Sequence, residues 1–127
     1  MDTELIYKEL SYKLNGLAFE VDNKLGFGLT EKTYCNALEE ILKRDNIEYS
    51  RELYAPIKIE GRIIAKRYFD FLVNNQVVVE VKVGDYNYKQ TYTQLLEYLV
   101  SSKIKLGLIV RFTKSGVKIK RVPNFNL

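Results

Sequence analysis

Apolar residues recur at three- and four-residue steps from the start of the chain: Ile6, Leu10, Leu14, Leu17, Val21 and Leu25. That spacing predicts an amphipathic helix over residues 3–24, with Gly26 as its left-handed stop. The Asn15-Gly16 pair weakens the helix interior by about 1 kcal/mol relative to alanine. Thr30 can cap a second helix, with Leu29 and Tyr34 in the positions of a hydrophobic staple. Its apolar stripe runs through Tyr34, Cys35, Leu38 and Leu42 to about Arg44, and Asp45–Asn46 closes it. From Ile47 to Ile64 the pattern changes to alternation, which predicts one strand up to Glu60, a turn at Gly61 and a return strand. Pro56 marks the first of these as an edge or bulged strand. Residues 67–83 (RYFDFLVNNQVVVEVKV) place two Phe- and Val-rich runs around an Asn-Asn pair, a hairpin pattern. Gly84 breaks the second run, and Asp85 can cap a third helix to about Ser102, with Tyr88, Tyr92, Leu95 and Leu99 as its core stripe. Residues 104–112 then read as a buried strand and 117–122 as a polar edge strand. The order ααβββαββ predicts an α/β (α+β) fold, a central mixed β-sheet flanked by helices.

At 127 residues the chain reads as a single domain, 1–127, burying roughly two-thirds of its unfolded surface. No apolar run is long enough to span a bilayer, and no charged-then-apolar leader opens the chain, so a cytoplasmic protein without a membrane partner is expected. One cysteine, Cys35, excludes an internal disulfide and Cys-based zinc binding, and the absence of histidine excludes His-based chemistry. Any catalysis must therefore use carboxylates, lysines, tyrosines and a metal. The net charge of +4 is unevenly spread. No Asp or Glu follows Glu97, while seven cations do, and the first 97 residues sum to −3. This asymmetry suits a phosphate-bearing partner beside an acidic pocket. It equally suits a lysine-rich edge strand protected from aggregation.

The chemistry-bearing positions concentrate in the hairpin. Glu80 and Lys82 interrupt an otherwise apolar strand and project to the same face. Burying either charge costs several kcal/mol unless it is paired or bound. Asp70 is a third charge, set between Phe69 and Phe71. The set reads either as a divalent-metal site or as a buried Glu–Lys ion pair. Glu31 has a sufficient structural reason in the helix dipole, yet it also lies on the inner stripe of the second helix. Glu20 lies one step from its own helix's stripe and reads as solvated. A two-residue turn at Asn74-Asn75 would place Asp70 and Glu80 on opposite faces. A shared site therefore demands a three-residue loop over 74–76 or a bulge near the acids.

Asp70 followed by Glu80-x-Lys82, with an acid in an earlier helix and Gln94-xxx-Tyr98 in the next, resembles the PD-(D/E)XK nuclease superfamily. The run GLTEKTY at 28–34 resembles a small group within it, the GxxExxY proteins, with Gly28, Glu31 and Tyr34 at the named positions; residues 9–26 are similar to that group's first helix. The resemblance implies a restriction-endonuclease-like core and a metal-dependent nuclease hydrolysing phosphodiester bonds of DNA. Asp70 and Glu80 would bind Mg²⁺ or Mn²⁺, as hard carboxylate oxygens do, with Glu31 a further acid at or near the metal. Lys82 would be the catalytic lysine, holding or deprotonating the attacking water or neutralising charge on the phosphoryl group. Gln94 and Tyr98 would orient substrate or water. Two positions depart from the group's pattern: Tyr68 and Thr91 stand where a basic residue and a histidine are frequent, leaving Arg67 as the nearest base. Phosphate contacts are expected from Arg67, Lys118, Lys120 and Arg121. Two alternatives stand beside the nuclease: a non-cleaving nucleic-acid-binding module that keeps the fold, and a structural protein whose acids pair with Lys82. Of the tyrosines near the third helix, Tyr88 and Tyr92 are expected in the core and Tyr86 exposed. Strand preference is open, as is oligomeric state, a homodimer included.

Overall fold

The computed structural model describes residues 7–125. Two helices open the chain, α1 (Lys8–Leu25) and α2 (Glu31–Arg44). Residues 3–6 of the expected first helix lie outside the described residues. The Thr30 hydroxyl caps α2 by accepting the Thr33 N–H at 3.2 Å. Five strands follow: β1 (Tyr49–Tyr54), β2 (Ile57–Ile59), β3 (Arg62–Ala65), β4 (Tyr68–Val73) and β5 (Val77–Val83). Helix α3 (Tyr88–Ser102) and strands β6 (Leu106–Thr113) and β7 (Gly116–Pro123) complete the fold. The expected strand over 47–60 is broken at Ala55-Pro56 and its return strand at Lys66-Arg67, so β2 and β3 form a separate two-stranded ribbon. Proline supplies no ladder N–H, which accounts for the break at 56.

The main sheet is mixed, in the order β1-β4-β5-β6-β7. All its pairings are antiparallel except β5 with β6, whose parallel register runs from Val77↔Leu106 to Val83↔Phe112. Only a crossover connection can join parallel neighbours, and α3 provides it. Helices α1 and α2 cover one face with Leu14, Leu17, Val21, Tyr34, Leu38 and Leu42, against Phe71, Val79, Val81, Leu108 and Phe112. Helix α3 covers the other with Leu95 and Leu99, against Phe69, Val78, Ile109 and Val122. Strand β5 is therefore buried on both faces, which is why it reads as a nearly unbroken valine run. Each fully buried side chain of this kind contributes about 1.5–3 kcal/mol. At the sheet's edge, β1 is tied to α2 through Glu39, which accepts from the Tyr49 hydroxyl at 2.7 Å and pairs with Arg51 at 3.0 Å.

Two local expectations are corrected. The cap of α3 is Asn87, whose Oδ1 accepts the Gln90 N–H at 3.0 Å. Asp85 lies too early to reach that turn and faces Arg111 instead, at 3.4 Å. Tyr88 is exposed rather than core, because as the first helical residue it precedes the buried stripe of Thr91, Leu95 and Leu99. Tyr86 and Tyr92 are half-buried beside it. Among the described residues, no helix is long and apolar enough to cross a membrane.

Helix α3 seats on β6 at the one position there without a side chain. A Cβ on Gly107 would lie 2.9 Å from Leu95 Cδ2 and 3.1 Å from its Cγ. Leu95 is fully buried and has little room to yield. Gly107→Ala is expected to destabilise the fold by about 1–3 kcal/mol, the usual cost of overpacking. Urea denaturation checks this, and a neutral result would mean that α3 shifts freely on the sheet.

Candidate functional site

The β4–β5 hairpin turns through three residues, Asn74, Asn75 and Gln76, so Val73 pairs with Val77, Leu72 with Val78 and Phe71 with Val79. Both asparagines adopt φ +53, a conformation asparagine tolerates well. The Gln76 N–H closes the turn on the Val73 carbonyl at 2.9 Å. This register sets Asp70 across from Glu80, as a shared site requires. The backbone ladder ends just before the two acids, and their side chains replace it. The Asp70 N–H donates to Glu80 Oε1 at 3.2 Å, and the Val81 N–H donates to Asp70 Oδ2 at 2.7 Å. Each carboxyl thus satisfies a backbone donor of the opposite strand, and the strands part into a fork.

The fork coincides with a change of face in the neighbouring strands. Phe71 packs with the α1/α2 layer, whereas Phe69, two residues earlier, packs with the α3 layer. On β1, Arg51 meets Glu39 of α2, whereas Leu53 joins the α3 layer. The residues between them are Asp70 and Glu52, and Glu52 takes φ +58. Pairing between β1 and β4 stays in register on both sides. Both strands therefore twist together, and Asp70 stands at the twist.

Electrostatics at the fork are dominated by burial. Burial first, then a hydrogen bond with Asp70 and its charge, push the Glu80 carboxyl up to about 9, against the opposing pull of Lys82. The Glu80 carboxyl therefore keeps its proton at neutral pH, as a buried carboxyl beside a second acid does. Lys82 Nζ lies 3.6 Å from Glu80 Oε2. Glu31, at the start of α2, is also raised, by partial burial and by Asp70, while Lys82 acts in the opposite sense. Cys35, one helical turn after Glu31, is buried; desolvation and then the nearby Asp70 charge push its thiol up. Its place against Asp70 was not read from the sequence, although its i+4 spacing from Glu31 on the inner stripe carried the signal.

Tyr34 explains how α2 is aimed at the fork. Its ring stacks on Phe112 with centroids 4.0 Å apart and planes 3° from parallel. Its hydroxyl donates to the Gly26 carbonyl at 2.6 Å and accepts the Leu29 N–H at 3.5 Å. Gly28 within that loop has φ +115, a region open to glycine. Gly28 and Tyr34 therefore hold the loop and the first turn of α2, and Glu31 is the residue they deliver.

The two fork carboxyls suit a divalent cation, since they offer hard oxygens, and a cation would replace the proton that Glu80 holds. Glu31 is not grouped with them as a third ligand. Among the described residues, no three His, Cys, Asp or Glu side chains gather closely enough to hold an ion together. Gln94 lines an open groove with Asn87, Lys89 and Gln90, and Tyr98 packs its ring 5.3 Å from Phe69. Neither hydrogen-bonds to the fork. Of the expected phosphate contacts, Lys118 and Lys120 are exposed on β7. Arg67 Nε instead donates to the Ala55 carbonyl at 2.9 Å, and Arg121 Nη1 donates to Ser11 Oγ at 2.6 Å. Glu20 is ion-paired with Arg44 and Lys24, away from the fork. Arg111 is the cation sequence reasoning overlooked here: it pairs in register with Lys82 on one side and Lys118 on the other. Nothing local signals that row, because the β5–β6 pairing forms across the α3 crossover.

The raised Glu80 carboxyl has a signed consequence. The folded chain retains a proton that the unfolded chain releases at the ordinary carboxylate pKa of about 4.3. Stability is thus fullest below that value and falls as pH rises toward 9. Glu80→Gln should flatten this slope and raise the melting temperature at about pH 8 in the absence of divalent ions. A lower melting temperature for Glu80→Gln would make the Glu80–Lys82 ion pair structural.

Residues 8–122 match the family model described as the PD-(D/E)XK nuclease superfamily. No curated protein matches the chain. The crystal structure of SSO0001 is similar at a TM-score of 0.55 and 21% identity, over 73% of this chain and 49% of that one. The chain thus spans about half the length of that protein, and a likeness at this identity concerns the fold. The family match covers nearly the whole chain, from α1 through β7, and takes in the fork with Asp70, Glu80 and Lys82; the chain belongs to the PD-(D/E)XK nuclease superfamily.

Proposed function

We propose that this chain is a nuclease of the GxxExxY kind, hydrolysing phosphodiester bonds of DNA with Mg²⁺ or Mn²⁺. The observation that carries the reading is the fork, where the Asp70 and Glu80 carboxyls are held by hydrogen bonds to each other's strands with the Lys82 ammonium 3.6 Å from Glu80. Asp70 and Glu80 would hold the ion, which when bound supplies Lewis-acid polarisation of the phosphoryl group and acidifies water. Lys82 is placed to position the attacking water or to offset charge developing on the phosphoryl oxygens. Glu31 stands where it senses both Lys82 and Asp70, and partial burial raises its carboxyl above the ordinary carboxylate range. The row Lys82–Arg111–Lys118, with Lys120 beside it, extends positive charge from the fork across the sheet. A DNA backbone following that row would bring a phosphodiester to the acids.

One observation favours a second reading, a non-cleaving nucleic-acid-binding module: among the described residues, no third His, Cys, Asp or Glu gathers with the two fork acids. Incubation with single-stranded, duplex, nicked and branched DNA in Mg²⁺, Mn²⁺ or chelator separates the two. Cleavage is expected with the divalent ions alone, and Asp70→Ala, Glu80→Ala or Lys82→Ala should each reduce it by about a hundredfold or more. Undiminished cleavage in Asp70→Ala or in excess chelator would remove the mechanism. Calorimetric titration with Mn²⁺ gives an independent reading, because the ion should displace the proton held by Glu80. Proton release in the parent and its absence in Glu80→Gln are expected; DNA binding with neither Mn²⁺ uptake nor cleavage would select the non-cleaving module. Replacing Lys118 and Lys120 by alanine should flatten the salt dependence of duplex binding by about 0.9 log unit per lost contact.

A further inference from the structure

The β2–β3 ribbon has no role in the core or the fork. Its root is rigid: the Ala55 N–H donates to the Arg67 carbonyl at 2.8 Å, and Arg67 Nε returns a bond to the Ala55 carbonyl at 2.9 Å. The Arg67 guanidinium lies 5.3 Å over the Phe69 ring, and the rings of Tyr54 and Tyr68 meet at 5.2 Å. Beyond this clamp the ribbon stands clear of the main sheet. Ile59, Ile63 and Ile64 are 60%, 54% and 61% exposed. An isolated two-stranded ribbon is at best marginally stable in water, and clustered exposed apolar residues mark a surface that meets something.

The register says what that partner is. Lys58 pairs with Ile63, and Ile59 with Arg62, so two of the three cross-strand pairs set an isoleucine beside a cation on the same face, the third pairing Ile57 with Ala65. Lys58, Arg62 and Lys66 are exposed, and Glu60 is the single acid between residues 55 and 67. A face for a second copy of the chain would be apolar at its centre and depleted of charge. Interleaved isoleucines and cations match a duplex groove instead, with phosphates along its rims and sugars and base edges inside. A two-stranded ribbon fits such a groove. The ribbon also lacks any aromatic side chain between residues 55 and 67, so it offers no stacking platform for single-stranded bases.

We infer that residues 57–65 form an arm that enters a groove of duplex DNA and fixes the duplex relative to the fork. This deepens the nuclease reading and rests on it for the identity of the polyanion. Because β4 begins at Tyr68, two residues before Asp70, a duplex gripped by the arm is held against the strand that carries the acid.

The test uses the full chain carrying Glu80→Gln, in chelator, so that binding is measured without cleavage. In that background, replacing Lys58, Arg62 and Lys66 by alanine should weaken binding to a short mixed-sequence duplex and lower the salt slope by about 0.9 per lost contact. Replacing Ile59, Ile63 and Ile64 by serine should weaken binding by about tenfold, the scale of one apolar side chain re-exposed, with the slope unchanged. Unchanged melting temperatures show that the variants fold. Undiminished binding by both variants would overturn the arm while leaving the nuclease reading intact. An isoleucine variant that converts a dimer to a monomer in ultracentrifugation, with DNA affinity retained, would overturn it in favour of a second copy. Failure of the parent to bind any DNA would fall on the nuclease reading itself.

Discussion

Two carboxyls standing in for backbone hydrogen bonds hold this structure's centre. Where β4 and β5 separate, the Val81 N–H has no strand carbonyl to meet and uses Asp70, while the Asp70 N–H uses Glu80. A buried donor left unmet would cost roughly 1–3 kcal/mol, so the acids are part of the fold before they are part of any chemistry. The same exchange holds the two carboxyls close together, and burial beside Asp70 raises Glu80. Structural satisfaction and electrostatic tension thus arise from one arrangement, and the tension is what a cation would relieve.

The surroundings follow from that constraint. The fork needs twisted strands, and both β1 and β4 change face at Glu52 and Asp70 without losing register. It needs cover on the α2 side, which Cys35 supplies as a small buried group against Asp70. It needs Glu31 brought near without burying it, and the loop from Gly26 to Leu29, bonded to the Tyr34 hydroxyl, sets the start of α2 accordingly. Tyr34 is in this light a packing residue, and Glu31 is the side chain it positions.

Charge is distributed to match. Acids gather at the fork, while Lys82, Arg111 and Lys118 line one level of the adjoining strands. Arg67 and Arg121 are engaged with Ala55 and Ser11, so these two guanidiniums act first in positioning the ribbon root and α1. Their capacity to meet phosphate is secondary to that. The ribbon is a separate two-stranded sheet joined to β1 and β4.

What the sequence by itself determined is local and periodic. The stripes of α1 and α2, the Thr30 cap and the doubly buried valine strand are all legible, because side-chain spacing reports directly which face is apolar. The hairpin register was legible for a stricter reason: Asp70 and Glu80 can share a site only if the loop has an odd length or a bulge re-aims one acid, and Asn74 and Asn75 accept the backbone the loop needs. Tertiary structure alone decided the rest. Asn87 rather than Asp85 caps α3, because the crossover sets where the helix begins. Arg111 meets Lys82 through a parallel pairing made across that helix, and Gly107 yields its space to Leu95. Periodicity tells a residue which way to point, but its neighbour across the sheet is chosen by how distant elements pack, and no local spacing encodes that choice.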